Sequence, residues 1–149
     1  MSEMTTDVAI RHDTTLREEY LMKLWDNYIS DNLVDSTPCR LAIFDLKTKR
    51  LIVCSEGMIV KNNELEEMIE GCTYPDVAYR NGIYVNGHHY EVKLADGKNG
   101  IFARDGLCSC TVCRSYALLL VGIHDERVKA EVCNEEIMKL GDYFRKLGL

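Results

Sequence analysis

Apolar side chains recur at helical intervals near both ends of the chain and at alternate positions through its middle. The first helical stretch, "TTLREEYLMKLWDNYISDNL", opens near Thr15, which stands three residues before Glu18 in the spacing of a capping box. The last stretch, "VKAEVCNEEIMKLGDYFRKLG", collects its apolar residues on or near one side. The pattern therefore predicts an amphipathic helix near each end of the chain.

The middle of the chain has the pattern of strands joined by turns. The runs "CRLAIFDL" and "RLIVCS" flank a polar "KTK", and "GIYVNGHHYEVKL" has strand-like runs on either side of Asn86-Gly87, a strong tight-turn dipeptide. One helix lies between these hairpins, because "NNELEEMIEGC" opens with a good cap residue and closes at Gly71. Further strands are predicted at "GIFAR", "CTVCRS" and "YALLLVGI". These elements predict an α+β fold in which helices pack on a central antiparallel sheet.

Charge and composition narrow the classes of partner and compartment. With 18 basic and 24 acidic side chains the formal net charge is -6, so we expect no nucleic-acid partner. The first residues contain no apolar run typical of a signal peptide, and no stretch is long and apolar enough to span a membrane. We therefore expect a cytoplasmic protein whose seven cysteines are reduced.

Three of those cysteines lie in "GLCSCTVCRS", which raises the question of a metal site. On a strand, Cys108 and Cys110 project to one face and Cys113 projects to the other, so the three thiols do not converge on one ion. Structural zinc needs four ligands, and a fourth from another cysteine or a histidine stays an open alternative. We expect no metal and no cofactor. A thiol sensor that uses these three cysteines is another alternative.

The order of elements and several local strings resemble the profilin family of actin-monomer and polyproline-binding proteins. The resemblance begins at "LWDNYISDNL", resumes at "YRNGIYVNGHHY", and is most specific at "GIHDERVKAEVCNEEIMKLGDYFRKLGL", which is close to profilins of the plant and insect type. It covers roughly residues 25–149. It implies a profilin-like sheet with the N- and C-terminal helices on one face and short helices on the other. We expect residues 1–14 to be a flexible extension and residues 15–149 to form the domain.

The resemblance implies a site for proline-rich ligands. A polyproline II helix offers carbonyl acceptors and flat ring faces, so its receptor needs aromatic rings that carry N–H or O–H donors. Trp25 and Tyr28 stand three apart and share one helix face. By resemblance, Tyr143 and Leu149 complete the groove. The second tryptophan of the family falls near Ile52 here, so we expect weaker binding than in relatives that have both.

The resemblance also implies an actin-binding face made by the later strands and the start of the last helix. Relative to mammalian profilins, Leu94 replaces an arginine, Glu91 a serine and Glu135 a lysine. Unpaired charges at an interface weaken binding, so these departures put the affinity for actin in question. The residues at or near the family's actin-binding positions are Tyr79, His89, Arg104, Val128, Asn134, Met138 and Lys139.

The function implied is binding of monomeric actin and of proline-rich proteins such as actin assembly factors, with regulation of filament assembly. We expect a cytoskeleton-associated monomer, weak phosphoinositide binding because basic residues are scattered, and no enzymatic activity. The string "IHDE" contains His124, Asp125 and Glu126, but adjacent residues of a strand point in different directions. An alternative is a proline-peptide adaptor that keeps the fold and has weakened or lost actin binding.

Overall fold

The computed structural model describes residue 23 and residues 40–55, 57–124 and 130–149. Within these ranges seven strands form one antiparallel sheet in the order β2-β1-β7-β6-β5-β4-β3. The strands are β1 (Arg40–Asp45), β2 (Leu51–Cys54), β3 (Ile83–Val85), β4 (His88–Ala95), β5 (Gly100–Asp105), β6 (Cys108–Arg114) and β7 (Leu118–His124). Strands that follow one another from β3 to β7 lie side by side, and β1 pairs with β7. The predicted antiparallel sheet and both predicted hairpins are confirmed.

Helices cover the two faces of the sheet. They are α1 (Asn62–Thr73), α2 (Pro75–Asn81) and α3 (Ala130–Lys146). The predicted end of α1 at Gly71 is two residues early, because the helix runs to Thr73. The apolar pattern did not predict α2 separately. It is seven residues long and begins with Pro75, whose ring presets a helical φ at a position where no N–H is needed. The first predicted helix lies outside the described residues, apart from the helical Lys23.

The sheet separates two hydrophobic clusters. Side chains of α1 and α2 pack with one face of the strands, and Ile137, Leu140 and Phe144 of α3 pack with the other. Leu119 and Leu120 are neighbours on β7 and belong to different clusters, as the alternation of a strand requires. All seven residues of β7 are buried, and the first six form a continuous apolar run although the pairing is antiparallel.

A glycine lets α3 approach the sheet closely. A Cβ on Gly141 would lie 2.4 Å from the Cys113 Sγ, closer than van der Waals contact allows. Glycine in a helix interior costs about 1 kcal/mol relative to alanine. Its presence here is explained by the packing of Cys113 against the helix backbone.

The tip of the β3–β4 hairpin is fastened to the start of α1 by one buried carboxylate. Asn86 and Gly87 have φ values of 49° and 82°, which confirms the predicted tight turn. Both turn amides donate to Glu64, at 2.7 Å to Oε1 and 2.7 Å to Oε2. The Lys61 amide at the helix start also donates to Glu64 Oε1, at 2.9 Å. Glu64 thereby supplies acceptors for three backbone donors from two elements.

We expect Glu64→Ala to lower the free energy of unfolding by roughly 2–3 kcal/mol, because three backbone N–H groups lose their acceptor. Urea denaturation checks this. The matched control is Glu66→Ala, which removes an exposed carboxylate from the same helix and is expected to change the free energy by less than about 0.5 kcal/mol. Equal effects of the two substitutions would contradict the role assigned to Glu64.

Candidate functional site

Three residues of the predicted actin-binding face line one open cleft beside α2 and strands β4 and β5. These are Tyr79, His89 and Arg104, and the cleft has a volume of about 670 Å³. Tyr90 and Ala103 belong to the core under α1 and α2, so their neighbours His89 and Arg104 project toward the α3 side of the sheet. The remaining lining residues are Arg80, Gly82, Glu91, Lys93, Asp105 and Gly106.

Polar contacts tie α2 to strand β4 along this cleft. The Ala95 amide donates to the Tyr79 hydroxyl at 2.9 Å, and the His89 Nε2 lies 3.2 Å from the Asn81 carbonyl oxygen. Gly82, with φ 75°, joins the helix to the hairpin, and a Cβ there would meet the His89 Nε2 at 2.2 Å. The positive φ and the close imidazole both require glycine at this position. The positions of Tyr79 and His89 are therefore set by backbone contacts.

The cleft has mixed charge. Glu91 pairs with Lys93 at 3.0 Å. Asp105 pairs at 2.7 Å with the Nε2 of His88, a residue that does not line the cleft. Among the described residues, neither Arg80 nor Arg104 takes part in an ion pair. The two guanidinium groups are therefore the charges that remain available to a partner at this cleft.

The other predicted actin-binding residues lie on or near α3. The Thr111 hydroxyl donates to the Asn134 Oδ1 at 3.2 Å, so the amide of Asn134 is partly engaged with the sheet. Met138 packs beside Gly100, where a Cβ would lie 2.4 Å from the methionine methyl group. Lys139 is exposed, and Val128 lies outside the described residues. Asn134, Met138 and Lys139 share the α3 side of the sheet with His89 and Arg104, but they do not line the cleft.

Leu94 is placed on the surface by an irregularity of its strand. The pairing of β4 with β5 shifts between Val92 and Leu94, so that Leu94 lies opposite Phe102. Its side chain is 65% exposed. Leu94, at the position where the resemblance implies an arginine, therefore adds exposed apolar area next to the cleft.

The predicted proline-binding residues are described only in part. Tyr143 is 37% exposed on α3, whereas Trp25 and Tyr28 lie outside the described residues. Ile52, at the position near the family's second tryptophan, is 2% exposed and belongs to the core under α3. Ile52 therefore offers a ligand no surface.

Leu149 is held against the turn between β6 and β7. Gly148 has φ 81°, and the amides of Gly148 and Leu149 donate to the Arg145 and Phe144 carbonyl oxygens, which is the pattern of a Schellman motif. The Leu149 carbonyl oxygen accepts hydrogen bonds from the Ala117 amide at 2.5 Å and from the Ser115 hydroxyl at 3.0 Å.

A second open cleft, of about 570 Å³, lies where Leu149 meets this turn. Tyr116 lines it and is 73% exposed. The sequence pattern assigned Tyr116 to the strand "YALLLVGI", but the strand begins at Leu118 and the tyrosine belongs to the turn. The other lining residues are Asp45, Leu46, Lys47, Ala117, Gly148 and Leu149.

The three clustered cysteines, Cys108, Cys110 and Cys113, lie on both faces of β6, as predicted. Cys108 and Cys110 pack with the α1 and α2 core, and Cys113 packs with the α3 core. The three thiols therefore do not share one ion. Among the described residues no group of three histidine, cysteine or acidic side chains is arranged to hold a metal. Burial raises the pKa of the Cys110 thiol to about 12 and also raises that of Cys113, which does not favour a thiol sensor at these two positions.

The described residues have the fold of a small α+β protein with open clefts at α2 and at the β6–β7 turn. The family model described as Profilin matches residues 23–149. The chain belongs to the profilin family. Proteins of this family and fold are non-enzymatic binding proteins. In the part of the chain that the structure describes, no helix is long and apolar enough to cross a membrane.

Individual relatives are distant in sequence and similar in structure. Profilin-1 of Dictyostelium discoideum is 23% identical over 124 residues, which cover 83% of this chain and 98% of that protein. Schizosaccharomyces pombe profilin superposes with a TM-score of 0.75 at 19% identity, over 84% of this chain and 99% of that one. Mouse profilin IIa in complex with a double repeat from the FH1 domain of mDia1 gives a TM-score of 0.66 at 15% identity, over 84% and 99% of the two chains.

We expect Cys72 and Cys110 to resist alkylation in the folded protein. Burial raises the pKa of each thiol from 9.0 to about 12, so both thiols stay protonated and unreactive at pH 8. Iodoacetamide labelling followed by peptide mass spectrometry, in buffer and in urea, measures the difference. Fast labelling of Cys110 in buffer would contradict the burial of this thiol in the folded protein.

The same shifts predict a loss of stability in alkali. The pKa of Cys72 and Cys110 is higher in the folded protein than in the unfolded chain. The stability contributed by their neutral thiols is therefore fully present below pH 9. This contribution is lost as the pH rises from about 9 toward 12, and urea midpoints across that range measure it. Cys110→Ala should reduce the fall of the urea midpoint with pH, because one of the two thiols is removed.

Proposed function

We propose that this protein binds monomeric actin through the cleft of Tyr79, His89 and Arg104, binds proline-rich ligands near Tyr143 and Leu149, and regulates actin filament assembly. The observation that carries the actin proposal is the convergence of these three residues, which come from α2, β4 and β5, on one cleft. The mechanism is non-covalent. An actin monomer held on this face would be kept from spontaneous nucleation while a proline-rich assembly factor docks the complex at a growing filament end.

Charge and shape at the cleft suit an acidic protein partner. Arg80 and Arg104 have no ion pair among the described residues, and Glu91 is already neutralised in part by Lys93. A partner carboxylate therefore meets two available guanidinium groups. The exposed Leu94 adds an apolar contact beside them. The net charge is -6 and basic residues such as Lys47, Lys49 and Arg50 are scattered along the chain, so we propose that phosphoinositide binding is weak.

Aromatic chemistry supports the proline site. Tyr143 stands at the surface of α3 and carries both a ring face and a hydroxyl. By family resemblance, Trp25 and Tyr28 contribute further aromatic groups to this site. The relative in complex with the FH1 double repeat shows that a protein of this fold accommodates such a ligand. We place the protein in the cytoplasm, associated with the cytoskeleton, as a monomer with one domain at 15–149.

We expect the reduced protein to bind monomeric actin one-to-one in calorimetric titration and Arg104→Glu to weaken binding about tenfold or more, because a like charge replaces a complementary one. The control is Lys47→Glu, which makes the same charge change at the second cleft and should leave actin affinity unchanged. Both are surface substitutions, so their circular dichroism should match that of the parent protein.

Two other outcomes of this titration are informative. No heat at two temperatures, with binding of proline peptides intact, would replace the actin proposal with the adaptor alternative. Equal weakening by Arg104→Glu and Lys47→Glu would mean that the effect comes from net charge and would refute the placement of actin at this cleft.

We expect a proline decamer to change the fluorescence of Trp25, the single tryptophan of the chain. Tyr143→Ala should weaken this binding by roughly threefold to tenfold, because a stacked aromatic contact contributes about 0.5–1.5 kcal/mol. Tyr84→Ala, on the distant β3 strand, is the matched tyrosine control. An unaltered spectrum at saturating peptide, together with no heat of binding, would refute the proline site.

A further inference from the structure

Tyr116 is a large aromatic side chain that the fold does not use for its own packing. It is 73% exposed and belongs to neither hydrophobic cluster. Its backbone lies between two residues that are firmly held, because Ser115 and Ala117 both donate to the Leu149 carbonyl oxygen. The Ser115 amide also donates to the Leu118 carbonyl oxygen at 2.9 Å, which closes the turn. The turn therefore presents an exposed tyrosine from a fixed backbone.

The docking of Leu149 joins the end of α3 to this turn. Tyr143 lies on α3 and Leu147 directly follows its last residue, with exposures of 37% and 42%. The Schellman motif at Gly148 then reverses the chain and places Leu149 beside Tyr116 at the second cleft. Large apolar or aromatic side chains thus follow one another from the proposed proline groove into that cleft.

We propose that Tyr116 is an additional ligand-binding residue, and that the proline groove extends from Tyr143 across Leu149 into the second cleft. The occupant is the continuation of the same proline-rich segment, in the polyproline II conformation. This inference rests on the proposed proline-binding function. It adds a distal subsite built by the β6–β7 turn.

The chemistry of Tyr116 fits this occupant. A polyproline II helix presents ring faces and unpaired carbonyl oxygens, and tyrosine supplies a flat ring with one O–H donor. A binding residue that is already held in place loses little conformational entropy when the ligand arrives. Lys47 lines the same cleft with an exposed ammonium group, which is a second donor for ligand carbonyl oxygens.

Ligand length separates the two parts of the groove. Polyproline II rises about 3.1 Å per residue, so six prolines span about 19 Å and fourteen span about 43 Å. After filling the groove around Tyr143, a fourteen-residue peptide has more of its length left to cover Tyr116 than a six-residue peptide has. A contact at Tyr116 therefore contributes more to the affinity of the long peptide than to that of the short one.

The test is calorimetric titration of the full-length protein with proline peptides of six and fourteen residues. Tyr116→Ala should weaken binding of the long peptide by roughly threefold to tenfold and weaken binding of the short peptide less. Tyr116→Phe should recover most of the loss if ring contact dominates. The control is Tyr74→Ala, which removes a tyrosine that is 59% exposed between α1 and α2 and should affect neither peptide. In a nuclear magnetic resonance titration, the Ala117 amide should shift more with the long peptide than with the short one.

The outcomes distinguish this inference from the function on which it rests. Normal binding of both peptides by Tyr116→Ala would overturn the distal subsite and leave the proline site in place. Equal weakening for both lengths would also overturn it, because Tyr116 would then act on the groove itself and not on an extension that favours longer ligands. If the parent protein bound neither peptide, the proline site and its extension would both be wrong.

Discussion

The structure depends on a strand that is buried on both faces. Every residue of β7 is buried, with α1 and α2 over one face of the sheet and α3 over the other. Leu118 and Leu120 contribute to one core, and Leu119 and Val121 to the second core. β1 and β6 pair with the two edges of β7, so β7 is a central strand, and both helical layers pack against it. Fully burying side chains of this size contributes about 1.5–3 kcal/mol each.

The two clefts arise where helix ends meet the sheet margin. At one end, α2 is tied to β4 by the Tyr79 hydroxyl and by His89, and the available charges of Arg80 and Arg104 gather beside them. At the other end, the chain after α3 is tied to the β6–β7 turn through the Leu149 carbonyl oxygen. Each of these attachments has a backbone group as one partner, while Tyr79, His89 and Ser115 supply side-chain partners. Two solved profilins named above keep this fold at 15–19% identity with the chain.

The cysteine cluster illustrates how a chemical motif can be structural. Cys110 and Cys113 lie on opposite faces of β6 and serve as small buried side chains. Burial that raises the pKa of a thiol also lowers its reactivity, so the same contacts that make these residues useful for packing oppose redox chemistry. Gly141 of α3 then accommodates the Cys113 sulfur.

Local spacing in the sequence was enough to predict the α+β fold, the Asn86-Gly87 hairpin, the amphipathic α3 and the two-sided placement of the cysteines, because each depends only on residues near one another in the chain. The resemblance to the profilin family indicated the candidate site residues. Only the tertiary structure decided that Tyr79, His89 and Arg104 share a cleft, that the shift in β4 pairing exposes Leu94, and that Tyr116 lies beside Leu149. The physical reason is that these arrangements depend on strand register and on contacts across the sheet, which apolar periodicity does not encode.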